Sequence, residues 1–226
     1  MSGIRENLLR VTERIEKAAQ NAGRNLKDIR LVAVSKTVET DRIKEAIEAG
    51  VSILGENYVQ EAQKKIEEIG KSVSWHFIGH LQSNKTKVAV RLFDAIHSVD
   101  SVALAEELNR RAQQVNRKIP VMIEVNLSGE TTKFGTEEEK VTTVTQGVLK
   151  LDHLSLEGLM TMPPYFDDPE MSRPYFVQLR ELKERLVKGG IPLKELSMGM
   201  SNDFEIAIQE GATYVRVGTA IFGARK

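Results

Sequence analysis

Lys36 directly follows a short apolar run, Leu31-Val32-Ala33-Val34-Ser35, and precedes a polar turn and a helical pattern. Lysine is almost never fully buried unless something pairs with it, so an amine at a strand exit is rarely there for packing. When desolvated it loses proton affinity and attacks aldehydes, forming a Schiff base. Far along the chain, Ser197-Met198-Gly199-Met200-Ser201-Asn202-Asp203 runs into the helical pattern Phe204-Glu205-Ile206-Ala207-Ile208. Gly199 permits a tight turn, and Ser201 or Asn202 can cap the helix, with Glu205 completing a capping box from Asn202. Free N–H groups at such a helix start attract an anion. Gly218 and Thr219 then follow an apolar run, one letting the backbone approach a ligand and the other offering a hydroxyl. Arg216 interrupts that run, where alternation puts Tyr214, Arg216 and Gly218 on one face. Its guanidinium could meet a ligand's ring nitrogen or carboxylate, or form an internal salt bridge with Glu124.

Other candidates carry weaker chemistry. Asn57 stands at the exit of a run and reads equally as an N-cap, with Gln60 three residues on. His76 and His80 are four residues apart across a strand exit, not on a helix, and without cysteine or a third ligand they make a poor zinc pair. Met160, in Met160-Thr161-Met162-Pro163, suits packing under a ring. Asp167 and Asp168 read as a solvated loop pair.

These residues need a scaffold that brings strand exits together. Runs of strand length occur at Leu31–Ser35, Val51–Leu54, Trp75–Ile78, Asp94–Val99, Val121–Val125, Leu154–Met160, Glu195–Met198 and Tyr214–Val217. Amphipathic stretches alternate with them, such as Val102-Ala105-Leu108-Ala112-Val115 and Phe176-Leu179-Leu182-Leu186. Eight such units predict a parallel sheet closed as a (β/α)8 TIM barrel, preceded by an extra N-terminal helix built on Ile4, Leu8, Val11, Ile15, Ala18 and Ala22. In that fold the loops after the seventh and eighth strands form the recurrent phosphate cradle. Two long loops, residues 126–135 and 163–170, fall on the same rim and are candidate lids.

Bulk properties narrow the function. The 226 residues balance 32 basic against 32 acidic side chains, so no basic stripe suggests nucleic acid. Cysteine is absent, which removes thiolate chemistry and sulfur-ligated zinc. The charged N-terminus is unlike a signal peptide, and no apolar stretch reaches membrane-spanning length. A cytoplasmic protein without membrane or nucleic-acid partners is expected. No apolar run calls for obligate assembly, so a monomer is expected too.

An aldehyde-reactive lysine, a phosphate cradle and an arginine on the last strand together describe a seat for pyridoxal 5′-phosphate (PLP). Long motifs support this in order: Leu31-Val32-Ala33-Val34-Ser35-Lys36, Gly55-Glu56-Asn57-Tyr58-Val59-Gln60-Glu61, and Trp75-His76-Phe77-Ile78-Gly79-His80-Leu81-Gln82-Ser83-Asn84-Lys85. They continue through Gly158-Leu159-Met160-Thr161-Met162, the segment 197–203, and Arg216-Val217-Gly218-Thr219-Ala220-Ile221-Phe222-Gly223. Over nearly its whole length the chain resembles the YggS/PROSC family of PLP-binding proteins, also called pyridoxal phosphate homeostasis proteins. The resemblance implies one fold-type III barrel over residues 1–226, like the N-terminal domain of alanine racemase. It implies PLP held as a Schiff base on Lys36, phosphate held by Ser201, Gly218 and Thr219, and Arg216 beside the pyridine nitrogen. Asn57 and Met160 are expected near the cofactor. Family members are regarded as carriers or regulators of vitamin B6 supply, without established catalysis, and apo-enzymes are the natural recipients.

Physical chemistry favours the same role. A carboxylate at the pyridine nitrogen makes the ring a strong electron sink, whereas an arginine keeps it weak. Alanine racemase works with such an arginine by adding a second domain and a tyrosine base, for which these 226 residues leave no room. The alternatives are a PLP-dependent amino acid racemase and a class I aldolase-like barrel using Lys36. Lys133, in the first long loop, is a secondary candidate for transient aldehyde capture.

Overall fold

The eight apolar runs become eight parallel strands, because each can bury both faces only between neighbours and covering helices. In this computed structural model, which describes residues 3–130 and 134–223, the strands are β1 (Arg30–Val34), β2 (Ile53–Glu56), β3 (Ser74–Phe77), β4 (Ala95–Val99), β5 (Ile119–Asn126), β7 (Leu154–Met160), β8 (Glu195–Ser197) and β9 (Tyr214–Val217). A two-residue strand, β6 (Thr136–Glu137), pairs with the end of β5 outside this series. Each barrel strand pairs in parallel with the next, β4 with β5 and β5 with β7, and β9 returns to β1 through Arg30↔Tyr214 to Ala33↔Val217. The sheet therefore closes, as expected. The second strand starts two residues later than its apolar run, so that Gly55 and Glu56 belong to it.

Around the barrel lie α1 (Ile4–Asn21), α2 (Thr40–Glu48), α3 (Val59–Ile69), α4 (Thr86–Leu92), α5 (Val102–Gln114), α6 (Val141–Val148), α7 (Arg173–Lys188), α8 (Phe204–Gln209) and α9 (Thr219–Phe222). The extra helix α1 buries Ile4, Leu8, Val11, Ile15, Ala18 and Ala19 and packs on α8, α9 and α2. Most apolar residues fill the layer between strands and helices, whereas Val32, Met122, Met160 and Tyr214 form a separate cluster inside the barrel. Close strand approach sets one sequence requirement. A Cβ at Gly158 would stand 2.0 Å from the backbone oxygen of Glu195 on the neighbouring strand. Among the described residues, no helix is long and apolar enough to cross a membrane.

Candidate functional site

At the C-terminal mouth lies a pocket of about 240 Å³, lined by six of the seven sequence candidates: Lys36, Asn57, Ser201, Arg216, Gly218 and Thr219. They come from the ends of β1, β2, β8 and β9, which are adjacent in the closed sheet. Met160 does not line the pocket. It is fully buried in the interior cluster with Val32, Met122 and Tyr214, so it supports the site without facing it.

The turn after β8 and the start of α9 meet through one hydroxyl. Ser201 Oγ accepts from Gly218 N–H at 3.2 Å and from Ala220 N–H at 3.4 Å. Its own hydrogen is left to donate to a ligand oxygen. Gly199, at φ 90° and with Ala207 Cβ only 2.5 Å from where its own Cβ would stand, makes the turn that brings Ser201 there. The capping box expected from Asn202 and Glu205 does not form. Asp203 is the residue before α8, and its carboxylate accepts from Met200 N–H at 2.6 Å. Asn202 instead donates to Phe166 O at 2.9 Å, tying the loop after β7 to this turn.

Asn57 does not cap α3 either, since the preceding position is Tyr58 and makes no side-chain cap. Its Oδ1 is buried without a hydrogen-bond partner. Such an orphan at a pocket wall points to a ligand donor, because leaving it unmet costs about 1–3 kcal/mol. Apolar walls complete the cavity: Val34, Ile78, Met162, Tyr165, Phe166 and Met200. Tyr165 and Phe166 belong to the second long loop, so that candidate lid does form a wall of the pocket.

Arg216 is 3 % exposed and points into the barrel mouth, as strand alternation requires. It forms no salt bridge with Glu124 among the described residues. Its guanidinium donates instead to Ser197 Oγ at 2.8 Å and to Thr161 O at 2.9 Å. Burial lowers its pKa to about 10, against the pull of Glu124 and Asp203, so it stays charged at neutral pH. Burial likewise raises Glu124 to about 7, a rise that Arg216 opposes and Asp100 reinforces.

Behind Arg216 runs a polar chain that sequence reasoning missed. Ser197 Oγ lies 2.9 Å from His97 Nδ1, His97 Nε2 lies 3.0 Å from His76 Nδ1, and His76 Nε2 lies 3.1 Å from Ser74 Oγ. Burial lowers the pKa of His76 to about 4 and holds His97 well below the usual imidazole range. The available signal was one polar residue in each of several otherwise apolar runs. His80 serves a different surface, stacked on Phe134 with ring centroids 3.8 Å apart. Asp168 caps the turn before α7 by accepting from Glu170 N–H. Lys133 lies outside the described residues.

The description "Alanine racemase, N-terminal domain" matches residues 7–226. A pyridoxal phosphate homeostasis protein of Aquifex aeolicus is 47 % identical over 223 residues, 98 % of each chain. The chain belongs to the pyridoxal phosphate homeostasis protein family. Among solved structures, an unknown protein from Bifidobacterium adolescentis superposes with a TM-score of 0.91 at 39 % identity, covering 97 % of this chain and 94 % of that one. PipY of Synechococcus elongatus, solved with PLP bound, has a TM-score of 0.82 at 37 % identity, over 93 % of this chain and 100 % of PipY. An alanine racemase of Clostridium difficile shares the fold at 18 % identity and a TM-score of 0.75, with 99 % of this chain matching 57 % of the racemase.

Proposed function

We propose that this member of the homeostasis family binds PLP in the mouth pocket, holds it covalently through Lys36, and serves cytoplasmic vitamin B6 supply as a carrier rather than an enzyme. The observation that carries this is the convergence of Lys36, Asn57, Ser201, Arg216, Gly218 and Thr219 on one cavity. The PLP-bound relative and the names of the relatives support it. The residues fit the cofactor. An amine is present for its aldehyde, and the Ser201 hydroxyl, oriented by the N–H groups of Gly218 and Ala220, is present for its phosphate. A charged arginine can face its ring nitrogen, and Asn57 Oδ1 lacks a protein donor. When bound, PLP supplies an electrophilic aldehyde and an electron-withdrawing ring.

The chain's own groups then decide how that ring is used. Ser201 donates to phosphate oxygen while Gly218 lets the backbone come close and Thr219 offers a second hydroxyl. The apolar wall from Val34 to Met200 keeps water from the amine. Arg216 is held charged at neutral pH, and a fixed cation at the ring nitrogen disfavours its protonation. That suits a tether for delivery to apo-enzymes better than a catalyst.

Purified protein loaded with PLP is expected to show a visible absorption band that disappears in Lys36→Ala. Pyridoxal lacking the phosphate is expected to bind far more weakly. Protein that stays colourless with added PLP rules the proposal out, and conversion of one amino acid enantiomer into the other replaces the carrier reading with a racemase.

A further inference from the structure

The residues on either side of Lys36 are gripped by side chains from two other elements. Ser35, fully buried, donates its hydroxyl to Glu56 Oε1 at 2.6 Å. Lys65, on α3 and 6 % exposed, donates to Ser35 O at 2.6 Å, Glu56 Oε1 at 2.8 Å and Glu61 Oε1 at 2.6 Å. Glu61, one helical turn before Lys65, accepts from Thr37 N–H at 2.5 Å. Ser35 and Thr37 are thus joined through one connected cluster, with Lys36 between them.

Thr37 itself adopts φ 59°, and only Asn116 shares such a conformation among the described non-glycine residues. The left-handed region is uncommon for any residue with a side chain and an outlier for a β-branched one, so it persists only where surrounding contacts impose it. The same cluster contains the buried ion pair of the rim, Glu56 with Lys65. Replacing such a pair by apolar residues is often neutral or stabilising, so stability alone is a weak reason for it.

We infer that Lys65, Glu61 and Glu56 form a clamp that holds Thr37 in its left-handed conformation and thereby aims the Lys36 amine into the pocket. They are positioning residues, acting on the ligand only through Lys36. The inference rests on the reading of Lys36 as the tether of PLP, and deepens it. Glu61 is the member to probe, because its side chain is 25 % exposed and its loss leaves the Glu56–Lys65 pair in place.

Glu61→Ala, Thr37→Gly and the double variant are compared with wild type in two measurements. In ligand-free protein, amide hydrogen exchange at Thr37 is expected to speed up at least about tenfold in Glu61→Ala, since its acceptor is gone. In PLP titrations followed by the visible band, Glu61→Ala is expected to bind about tenfold more weakly, the equivalent of losing support for one left-handed non-glycine residue. Glycine takes that conformation without penalty. Thr37→Gly in the Glu61→Ala background is therefore expected to restore affinity to within about threefold of wild type. A merely structural Glu61 would give no such rescue, because glycine supplies no contact to α3. Unchanged affinity in Glu61→Ala, or lost affinity that Thr37→Gly leaves unrepaired, overturns the clamp. If Glu61→Ala does not fold, Glu61→Gln, which keeps an acceptor for Thr37, takes its place. Folded Glu61→Gln is expected to keep both slow Thr37 exchange and near-wild-type affinity, and loss of either counts against the clamp. Absence of PLP binding in wild type would refute the proposed function, while the exchange arm still tests the clamp.

Discussion

Glu124 is the sharpest test of the electrostatics in the barrel mouth. It is 4 % exposed, and burial raises its pKa from 4.5 to about 7 despite the attraction of Arg216. A carboxyl with a raised folded-state pKa binds more protons in the folded than in the unfolded protein. Its contribution is therefore fully present below about pH 4.5 and is lost as pH rises towards 7. At about 1.4 kcal/mol per unit, ionised Glu124 destabilises the fold by about 3 kcal/mol at pH 8. Arg216's attraction is already inside that figure, so replacing the carboxylate by an uncharged isostere recovers most of it. Glu124→Gln is expected to match wild type at pH 4.5 and to be about 3 kcal/mol more stable at pH 8, with most of the divergence complete by pH 7. Urea unfolding of both proteins in steps from pH 4.5 to 8 reads this directly. His76, lowered to about 4, has the opposite sign: its stabilisation is present above about pH 6.5 and is lost as pH falls towards 4. It acts in both proteins and cancels in the difference. A Glu124→Gln protein less stable than wild type at pH 8, or offset by a constant amount at every pH, would refute the reasoning.

Gly158→Ala forces a Cβ to within 2.0 Å of Glu195 O across the β7–β8 ladder. Overpacking against backbone is expected to cost about 3 kcal/mol or more and to lower Tm by roughly 5–10 °C in calorimetry; an unchanged Tm would refute the close approach. Ser197→Ala deprives Arg216 and His97 of a shared partner, and two buried groups left unmet are expected to cost about 2–4 kcal/mol, seen as a lower urea midpoint at unchanged m. Ser201→Ala removes the hydroxyl joining Gly218 and Ala220. It is expected to weaken PLP binding about tenfold while leaving pyridoxal binding unchanged, as measured by titration; equal losses for both ligands would show that Ser201 does not serve the phosphate.

Strand positions were legible because each β–α unit writes its own period into the chain, and all eight apolar runs became barrel strands. Lys36, Ser201, Gly218 and Thr219 were legible for a related reason: a rim residue is recognisable from its place immediately after a run. Two capping expectations failed: Asn202 is drawn off by a tertiary bond to Phe166 O, and Asn57 lines the pocket with its Oδ1 left unmet. The clamp was illegible. Lysine on a helix ordinarily means a solvated face, and nothing local says that Lys65 reaches Ser35, thirty residues earlier. His97 and Ser197, a hundred residues apart, become partners only once closure of the barrel has set them across its interior.

That interior also argues for what the site does. Barrel cores are usually filled with branched apolar side chains, yet here β3, β4, β5, β8 and β9 contribute His76, His97, Glu124, Ser197 and Arg216 to the buried set. Arginine can only donate. With Arg216 donating to Ser197, one assignment leaves no buried hydrogen in the chain without an acceptor. The Ser197 hydroxyl donates to His97 Nδ1, His97 Nε2–H to His76 Nδ1, and His76 Nε2–H to Ser74. Both imidazoles are held neutral by burial, so the chain fixes the guanidinium's direction without adding a second cation. A carboxylate in that position would keep a bound pyridine nitrogen protonated and the ring a strong electron sink. The network holds a fixed positive charge at the pocket wall, which supports the proposed reading of a site that leaves a bound ring a weak electron sink.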